Sequence, residues 1–319
     1  MCLKMNETVK RLIKNKPLIV LLITSVIVAM LNPRFLTWGN ILTVLRQTSI
    51  NAVIATGMTF AILIGGIDLS VGSVLGFCGA ISATLISSGM NVFVVVIATL
   101  LLGTIIGFFN GTLITAGRLQ PFIATLGTVT LLRGLILVFT QGRPISTGNT
   151  EASKYFGEIG TGFIGPIPIP VYIMVIVFIV TYYILNHTRI GRYIYATGSN
   201  EEATIYSGIN TNNVKLFVYS ISGMMAALAG ILITARLGSA QPTAGAGYEL
   251  DAIAAVVLGG TSMAGGIGTI AGTAIGALII GVLNNALNLM QVSSYYQDVA
   301  KGVVILIAVL LDRKQKLSR

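Results

Sequence analysis

The chain has 319 residues and a mass of 33.5 kDa; 54% of its residues are hydrophobic, only 9% are charged, and its mean hydropathy is +0.88. Soluble domains carry about 25% charged residues, so this composition excludes an ordinary water-soluble enzyme. A helix that crosses the roughly 30 Å hydrocarbon core needs about 20 apolar residues, so about ten spans would leave no room for a large extramembrane catalytic domain. We attribute the net charge of +10 to membrane topology rather than to nucleic-acid binding.

Apolar windows between turn residues predict an all-α polytopic membrane protein with about ten transmembrane helices. In chain order the predicted spans lie near residues 17–32, 48–65, 72–88, 92–116, 121–140, 169–186, 213–235, 249–264, 269–290 and 294–311. The segment near 249–264 is short and rich in glycine. An alternative with eight spans, in which two of the short segments are re-entrant, also fits the pattern.

The distribution of Lys and Arg predicts how these spans are oriented. If the N-terminus is cytoplasmic, most basic residues outside the spans fall on the cytoplasmic side, as the positive-inside rule requires. The first apolar segment follows basic residues as a signal peptide does, but Met30-Leu31-Asn32-Pro33 offers no small-residue cleavage site, so we interpret it as an uncleaved span. Both termini are therefore expected to be cytoplasmic.

Small residues recur at a spacing of four within several predicted spans. In lipid, where helices gain little from hydrophobic association, such residues let two backbones approach closely. The pairs are Gly103 and Gly107, Gly223 and Ala227, Ala226 and Gly230, and Gly272 and Gly276.

A faint internal repeat relates residues 103–111 to residues 276–285, since both combine two spaced glycines with an asparagine three positions after the second glycine. The two spans run in opposite directions in the ten-span arrangement. This predicts an inverted repeat, whose interface commonly surrounds a permeation route.

Carboxylates near apolar segments are candidates for function, because a charge in hydrocarbon is costly. Asp68 lies in the run Gly-Gly-Ile-Asp-Leu-Ser-Val-Gly-Ser at 65–73, which breaks one helix and starts another. Asp68 or Ser70 could cap the new helix. The run is either a capped re-entrant turn or a gate in which Ser70 and Ser73 also contact substrate.

Three further charged residues lie within predicted spans. Asp298 and Lys301 are three positions apart on one helical face, which predicts that they neutralise each other. Arg133 has no local acidic partner, so we expect its guanidinium to bond within the bundle rather than to substrate.

The sequence contains no motif for nucleotide binding or catalysis. No Gly-x4-Gly-Lys-Ser/Thr occurs, and the glycine-rich stretch 258–266 lacks the lysine that a phosphate loop requires. The single histidine, His187, ends a span without neighbouring cysteines or carboxylates. We therefore expect neither a metal site nor enzyme activity in this chain.

Between two predicted spans, the loop at 187–212 contains the pattern of a short helix of about two turns. Ser199 or Asn200 can act as N-cap, Glu201 and Glu202 suit the positive end of the helix dipole, and Gly208 can end the helix. The pattern fits either a simple connecting helix or a contact surface for a partner.

On these residues the chain resembles the inner-membrane permeases of ATP-binding-cassette importers for ribose, in the branched-chain amino acid and monosaccharide permease group. The resemblance covers nearly the whole chain and depends on the motifs at 66–73, 192–196, 239–262 and 293–297. It implies a single transmembrane domain over 1–319 of the type II importer kind. It also implies four partners: a second copy of the chain, the lipid bilayer, an extracytoplasmic sugar-binding protein and a separate cytoplasmic ATPase. The ATPase would use ATP and Mg²⁺, and this chain would hold no cofactor.

The resemblance gives the short helix the role of a coupling helix. Glu202-Ala203-Thr204 followed by Gly208 fits the importer pattern Glu-Ala-Ala-x-x-x-Gly, although the Ile-x-Leu-Pro that follows in importers is absent. The expected ATPase-coupling residues are Asn200, Glu201, Glu202, Ala203, Thr204 and Gly208.

Sugars present hydroxyl groups rather than charge, so polar uncharged side chains suit their pathway. The expected pathway or gate residues are Asp68, Ser70, Ser73, Asn110, Asn284 and Asn285. Glu249 and Asp251, at the outer start of the eighth span, are expected either to meet a docked binding protein or to cap their helix.

The main alternative from a different class is an ion-gradient-driven secondary sugar transporter that works through Asp68 or Asp298.

Overall fold

The computed structural model describes residues 16–317 and shows a helical bundle with a few two-residue strands. The helices are α1 (Lys16–Leu31), α2 (Trp38–Leu63), α3 (Val71–Ser87), α4 (Val92–Thr115), α5 (Pro121–Thr140), α6 (Glu151–Thr161), α7 (Ile169–His187), α8 (Arg189–Ser199), α9 (Glu201–Tyr206), α10 (Thr211–Leu237), α11 (Tyr248–Leu258), α12 (Ile270–Leu289) and α13 (Ser294–Leu317). The strands are β1 (Ile145–Ser146), β2 (Phe163–Ile164), β3 (Ile167–Pro168) and β4 (Ser239–Ala240); β1 pairs with β4 and β2 with β3, both antiparallel.

Each predicted span coincides with a helix, which confirms the all-α fold, but the number of spans is not confirmed as ten. Five of the described helices are long and apolar enough to cross a membrane: α4, α5, α7, α10 and α12. The eighth predicted span is only the 11-residue α11, which at about 1.5 Å per residue cannot cross a bilayer as a helix alone. The rest of that predicted span, 259–264, is glycine-rich and forms turns, and irregular backbone continues to residue 269.

The connections between helices gather at two ends of the bundle. At one end, which we name the α9 end, the Gly266 N–H donates to the Leu63 carbonyl at 2.9 Å, and the Tyr195 hydroxyl donates to the Gly268 carbonyl at 2.8 Å. At the other end, which we name the α6 end, the Thr147 N–H donates to the Gly238 carbonyl at 3.0 Å beside the β1–β4 pair. The turn after α2, the α8–α9 segment and the segment after α11 therefore share one end.

The core surrounds the central helices α2 and α10, whose small residues allow close packing. Gly223 of α10 lies against Gly103 and Gly107 of α4, and Gly57 of α2 lies against the Ser222 backbone. A side chain at any of these glycines would overlap the neighbouring helix. The small-residue spacing seen in the sequence thus marks real helix contacts.

The helix contacts confirm an inverted repeat that pairs α2 with α10, α3 with α11, α4 with α12 and α5 with α13. The contacts of α10 with α3 and α4 have counterparts in the contacts of α2 with α11 and α12. Likewise α3 contacts α4 and α5, as α11 contacts α12 and α13. α2 finishes at one end of the bundle, where Leu63 bonds Gly266, and α10 finishes at the other, where Gly238 bonds Thr147, so these two counterparts run in opposite directions.

Two helices, α6 and α8, were not anticipated from the sequence. α6 is amphipathic: Phe156 is fully buried whereas Tyr155 is 62% exposed, and the Thr150 hydroxyl caps the helix by accepting from the Ser153 N–H at 3.2 Å. α8 begins in the same way, with the Thr188 hydroxyl accepting from the Gly191 N–H at 3.2 Å. Both lie outside the apolar windows, where hydropathy carries no signal.

The packing of α4 on α10 predicts that Gly107→Ala lowers stability. The new methyl group would overlap the Tyr219 carbonyl oxygen and force the helices apart, a cost of about 1–3 kcal/mol. The matched change Gly127→Ala on α5 places a methyl where no described atom lies within 4 Å, so it should be neutral or slightly stabilising. Thermal unfolding of the detergent-purified variants measures both; equal melting temperatures would contradict the packing.

Candidate functional site

The turn between α2 and α3 holds Asp68 in a fixed, buried position. Gly65 ends α2 with a φ of +75°, a left-handed conformation that glycine adopts without strain. Asp68 Oδ1 then accepts hydrogen bonds from the Ser70 N–H at 3.0 Å and from the Ser70 hydroxyl at 2.6 Å. Its other oxygen, Oδ2, accepts from the Ser222 hydroxyl of α10 at 2.7 Å. Asp68 therefore fixes the start of α3 and ties it to α10.

Further hydrogen bonds extend this arrangement across two more helices. The Asn110 side-chain amide of α4 donates to the Ser70 hydroxyl at 2.8 Å, and the Thr128 hydroxyl of α5 donates to Asn110 Oδ1 at 2.6 Å. We name Asp68, Ser70, Asn110, Thr128 and Ser222 the Asp68 cluster. All five side chains are at most 3% exposed, so the cluster seals the bundle rather than lining open space.

The cluster bears on the two interpretations of the 65–73 run. The capped turn is present, with Asp68 rather than Ser70 bonding the free backbone N–H. The Ser73 hydroxyl donates to the Ser70 carbonyl at 2.8 Å within α3. Three predicted pathway or gate residues, Asp68, Ser70 and Asn110, thus meet in one network, and Ser73 lies beside it. Their roles in transport stay a prediction.

A second polar group lies nearer the α6 end, around Asp251 of α11. Asp251 Oδ2 is 3.3 Å from Lys301 Nζ of α13, 3.4 Å from Asn51 Nδ2 of α2 and 3.5 Å from Asn284 Nδ2 of α12. We name these four residues the Asp251 cluster. It borders a cavity of about 280 Å³.

The ion pair of Lys301 differs from the sequence prediction. Lys301 pairs with Asp251, whereas Asp298 is exposed. The reason lies in the packing of α13 against α11, which brings Lys301 to Asp251. A buried carboxylate such as Asp251 is costly without a cation, whereas the exposed carboxylate of Asp298 is not.

The two clusters occupy corresponding places in the inverted repeat. Asp68 lies in the turn between α2 and the shorter helix α3. Asp251 lies in the first turn of the short helix α11, just after the segment that follows α10. Ser222 and Asn110 lie beside Asp68 as Asn51 and Asn284 lie beside Asp251, and the three pairs of counterparts are 171, 174 and 183 residues apart in the sequence. The repeat therefore places one polar cluster toward each end of the bundle.

The remaining predicted residues have other surroundings. Asn285 exchanges two hydrogen bonds with Asn40 of α2, at 2.9 and 3.0 Å, and does not border the cavity beside Asn284. Asp251 is only 4% exposed, and Glu249 is half-buried and accepts from the Gly247 N–H at 3.4 Å; a docking role for these two residues stays a prediction. Arg133 donates to the Ala244 carbonyl at 2.8 Å, the bond within the bundle that the sequence predicts.

The helix predicted in the 187–212 loop is present as α9. Asn200 is its N-cap, with Oδ1 accepting from the Ala203 N–H at 2.9 Å, and Gly208 follows it with a φ of +81°. Glu201 forms an ion pair with Lys215 of α10 at 2.5 Å. The Thr204 side chain lies on the buried face of α9. The helix is therefore fastened to the start of α10.

The outer face of α9 is exposed and the helix behind it is anchored. Glu202 and Ala203 are exposed, and Tyr206 is 90% exposed. On α8, Gly198 packs directly on the Leu63 backbone at the end of α2. The Tyr195 hydroxyl donates to the Gly268 carbonyl, and burial raises the pKa of this hydroxyl further above neutral pH. Movement of α9 would thus reach the turn that carries Asp68.

Sequence reasoning missed Asn51, Thr128 and Ser222 as members of the clusters. All three are polar residues within apolar spans, which is a signal for function. The signal is weak for hydroxyls, because Ser and Thr in such helices often bond their own backbone, as Thr56 does to the Ala52 carbonyl at 2.8 Å.

Two halves in inverted repeat, with interrupted helices beside buried polar groups, are typical of a membrane permease. Residues 40–309 match the family described as branched-chain amino acid transport system / permease component, and the chain belongs to this family.

The curated relatives are more specific. The chain is 58% identical to the ribose import permease protein RbsC of Haemophilus influenzae, covering 94% of this chain and 93% of the relative. It is 56% identical to RbsC of Escherichia coli K12, with 96% and 95% covered, and 54% identical to RbsC of Bacillus subtilis, with 94% and 92% covered. No solved structure matches the chain.

The Asp68 cluster predicts that Asp68→Ala is strongly destabilising. The change leaves the hydroxyls of Ser70 and Ser222 without their acceptor in a buried site, at about 1–3 kcal/mol for each unsatisfied group. Asp298→Ala removes the same carboxylate from an exposed position and should leave stability unchanged. Thermal unfolding in detergent compares the two; a stable Asp68→Ala protein would contradict a structural role for the cluster.

Proposed function

We propose that this chain is the permease subunit of an ATP-binding-cassette importer that carries ribose into the bacterial cytoplasm. The observation that supports this most directly is its identity, over nearly the full length of both chains, to several ribose import permeases. The polar groups described within the bundle suit the proposal, because most of them are hydroxyls and amides, which can exchange hydrogen bonds with sugar hydroxyls.

The energy for transport comes, in this proposal, from a separate cytoplasmic ATPase. The sequence lacks a phosphate-binding loop, so the chain is a non-catalytic subunit that holds no cofactor, while ATP and Mg²⁺ are used by the partner. Two copies of the chain form the translocation unit in the inner membrane. An extracytoplasmic binding protein delivers the sugar at the α6 end.

The ATPase acts through α9, whose exposed face offers Glu202, Ala203 and Tyr206 for contact. The Glu201–Lys215 ion pair links α9 to α10, and Gly198 on Leu63 links α8 to α2. Closure of the ATPase would therefore move the two central helices together and shift the population between bundle conformations.

The secondary-transporter alternative needs a carboxylate that gains and loses an ion during transport. Of the two carboxylates that this alternative names, Asp68 is held by three hydrogen bonds and so has a structural use. Asp298 is exposed and lies outside the described cavity. Ribose uptake should accordingly fail when ATP is depleted and should persist when an uncoupler collapses the ion gradient.

Substitutions on α9 test the ATPase contact. Glu202→Lys or Tyr206→Ala should reduce ribose uptake to background in cells that express the whole importer, while the permease still reaches the membrane. Asn212→Lys adds a positive charge at an exposed position nearby but outside α9, and it should leave uptake near normal. Normal uptake by both α9 variants would contradict the proposed coupling role.

Cysteine labelling tests the proposed orientation. Tyr206→Cys, in a background with Cys2→Ser, should react with an impermeant maleimide in inside-out vesicles and not in intact spheroplasts. Tyr155→Cys on α6, 62% exposed at the opposite end, should give the reverse pattern. Cys78 is fully buried and should contribute little background. Labelling of Tyr206→Cys in intact spheroplasts would contradict the proposed orientation.

A further inference from the structure

The cavity of about 280 Å³ beside the Asp251 cluster is lined by residues of α2, α10, α11, α12 and α13 toward the α6 end. Asp251 is in the first turn of α11, and Asn284 is in the last two turns of α12, so the cavity lies just inside that end. Its polar lining includes Thr48, Asn51, Asp251, Asn284 and Lys301, together with Arg236 of α10.

Several polar atoms of this lining have no hydrogen-bond partner among the described residues. They are Asp251 Oδ1, Thr48 Oγ1 and Asn284 Oδ1. Asp251 is 4% exposed and Thr48 is 1% exposed, so neither side chain is solvated at the protein surface. Buried polar groups are nearly always paired, and leaving them unpaired is costly. The cavity is thus suited to a ligand that supplies hydrogen-bond donors in several directions.

The charges around the cavity indicate which ligand chemistry fits. Asp251 is paired with Lys301 at 3.3 Å, and Arg236 of α10 adds a second cation to the lining, so ligand hydroxyls can donate to Asp251 and accept from the cations. Asn51 and Asn284 offer amide groups that can both donate and accept. Pockets for drug-sized ligands run from about 300 to 1,000 Å³, so a cavity at or below that range suits a single small molecule. A compact ligand rich in hydroxyls, which both donate and accept hydrogen bonds, meets all three conditions.

We infer that this cavity is a binding site for one monosaccharide, in which Asp251 and Asn284 accept hydrogen bonds from sugar hydroxyls. The inference rests on the proposed function and deepens it: the cavity is the first intramembrane site that a sugar meets after it is delivered at the α6 end. The Asp68 cluster, toward the opposite end, stays sealed while this cavity is formed. In this inference Asp251 binds the sugar inside the bundle and does not contact a protein docked at the surface.

The chain offers two matched controls for testing this site. Asn284 and Asn285 are adjacent on α12, yet Asn284 borders the cavity and Asn285 bonds Asn40. Asp251 and Asp298 carry the same charge, but only Asp251 borders the cavity. The variants Asn284→Ala and Asp251→Asn are thus compared with Asn285→Ala and Asp298→Asn.

The experiment measures saturation-transfer NMR signals of millimolar ribose with the full chain in lipid nanodiscs, where no ATPase is needed. Asn284→Ala and Asp251→Asn should each weaken ribose binding by about tenfold, the size expected when a hydrogen bond to a buried polar or charged group is lost. Asn285→Ala and Asp298→Asn should bind ribose as the unaltered chain does. Size-exclusion chromatography of all four variants identifies any that misfold, and Asn284→Ala decides the question if Asp251→Asn does so.

Three outcomes would overturn the inference: no saturation transfer from the unaltered chain to ribose, equal binding by the cavity variants and their controls, or transfer to leucine but not to ribose. Ribose uptake by the assembled importer separates this result from the proposed function. Normal uptake in both cavity variants would reject the cavity site and leave the importer proposal intact. Absence of ATP-dependent ribose uptake by the unaltered importer would reject the proposed function, while the nanodisc measurement would still decide whether the cavity binds sugar.

Discussion

The close approach of α10 to α2 and α4 is the contact on which the rest of the bundle depends. Gly103, Gly107 and Gly223 bring the backbones of α4 and α10 together, and Gly57 does the same for α2 and α10. Since lipid provides little hydrophobic drive for helix association, dispersion contacts between closely packed backbones must supply it. This approach also brings Ser222 to within 2.7 Å of Asp68, so the polar cluster depends on the same packing.

Buried polar groups then determine how the two ends of the bundle differ. At the Asp68 cluster every carboxylate oxygen has a hydrogen-bond partner, and the cluster joins α3, α4, α5 and α10. At the Asp251 cluster one carboxylate oxygen and one amide oxygen have no partner among the described residues, and a cavity adjoins them. A satisfied network resists opening, whereas an incompletely satisfied one can exchange its bonds with a ligand.

The sequence predicted those features that depend on residues close together along the chain. Hydropathy located the helices, the spacing of glycines marked α4, α10 and α12 as closely packed, and the residues from Asn200 to Gly208 predicted α9 with its N-cap. These features depend on local propensity and on which residues tolerate burial in lipid. The short length of α11 was visible only as an unusually glycine-rich span.

The sequence could not tell which helical neighbours meet. Asn284 and Asn285 are adjacent but point about 100° apart around α12, so only the position of α2 and α11 determines which of them borders the cavity. Lys301 had an obvious partner three residues away, yet it pairs with Asp251 on another helix. The amphipathic helices α6 and α8 contain no long apolar run, so hydropathy did not predict them.

The positions of α8 and α9 explain how a single helical bundle can respond at a distance. Gly198 packs on Leu63 without an intervening side chain, and the Gly266 N–H bonds the same Leu63 carbonyl at 2.9 Å. The ends of α2, α8 and the segment after α11 are thus joined through backbone atoms, which transmit displacement with little slack because packed interiors are nearly incompressible. In the proposed mechanism a force on α9 would reach α2 through these contacts, and α2 carries Asn51 at the cavity toward the opposite end. One rigid helix connects the surface proposed to receive the force with the site proposed to hold the sugar.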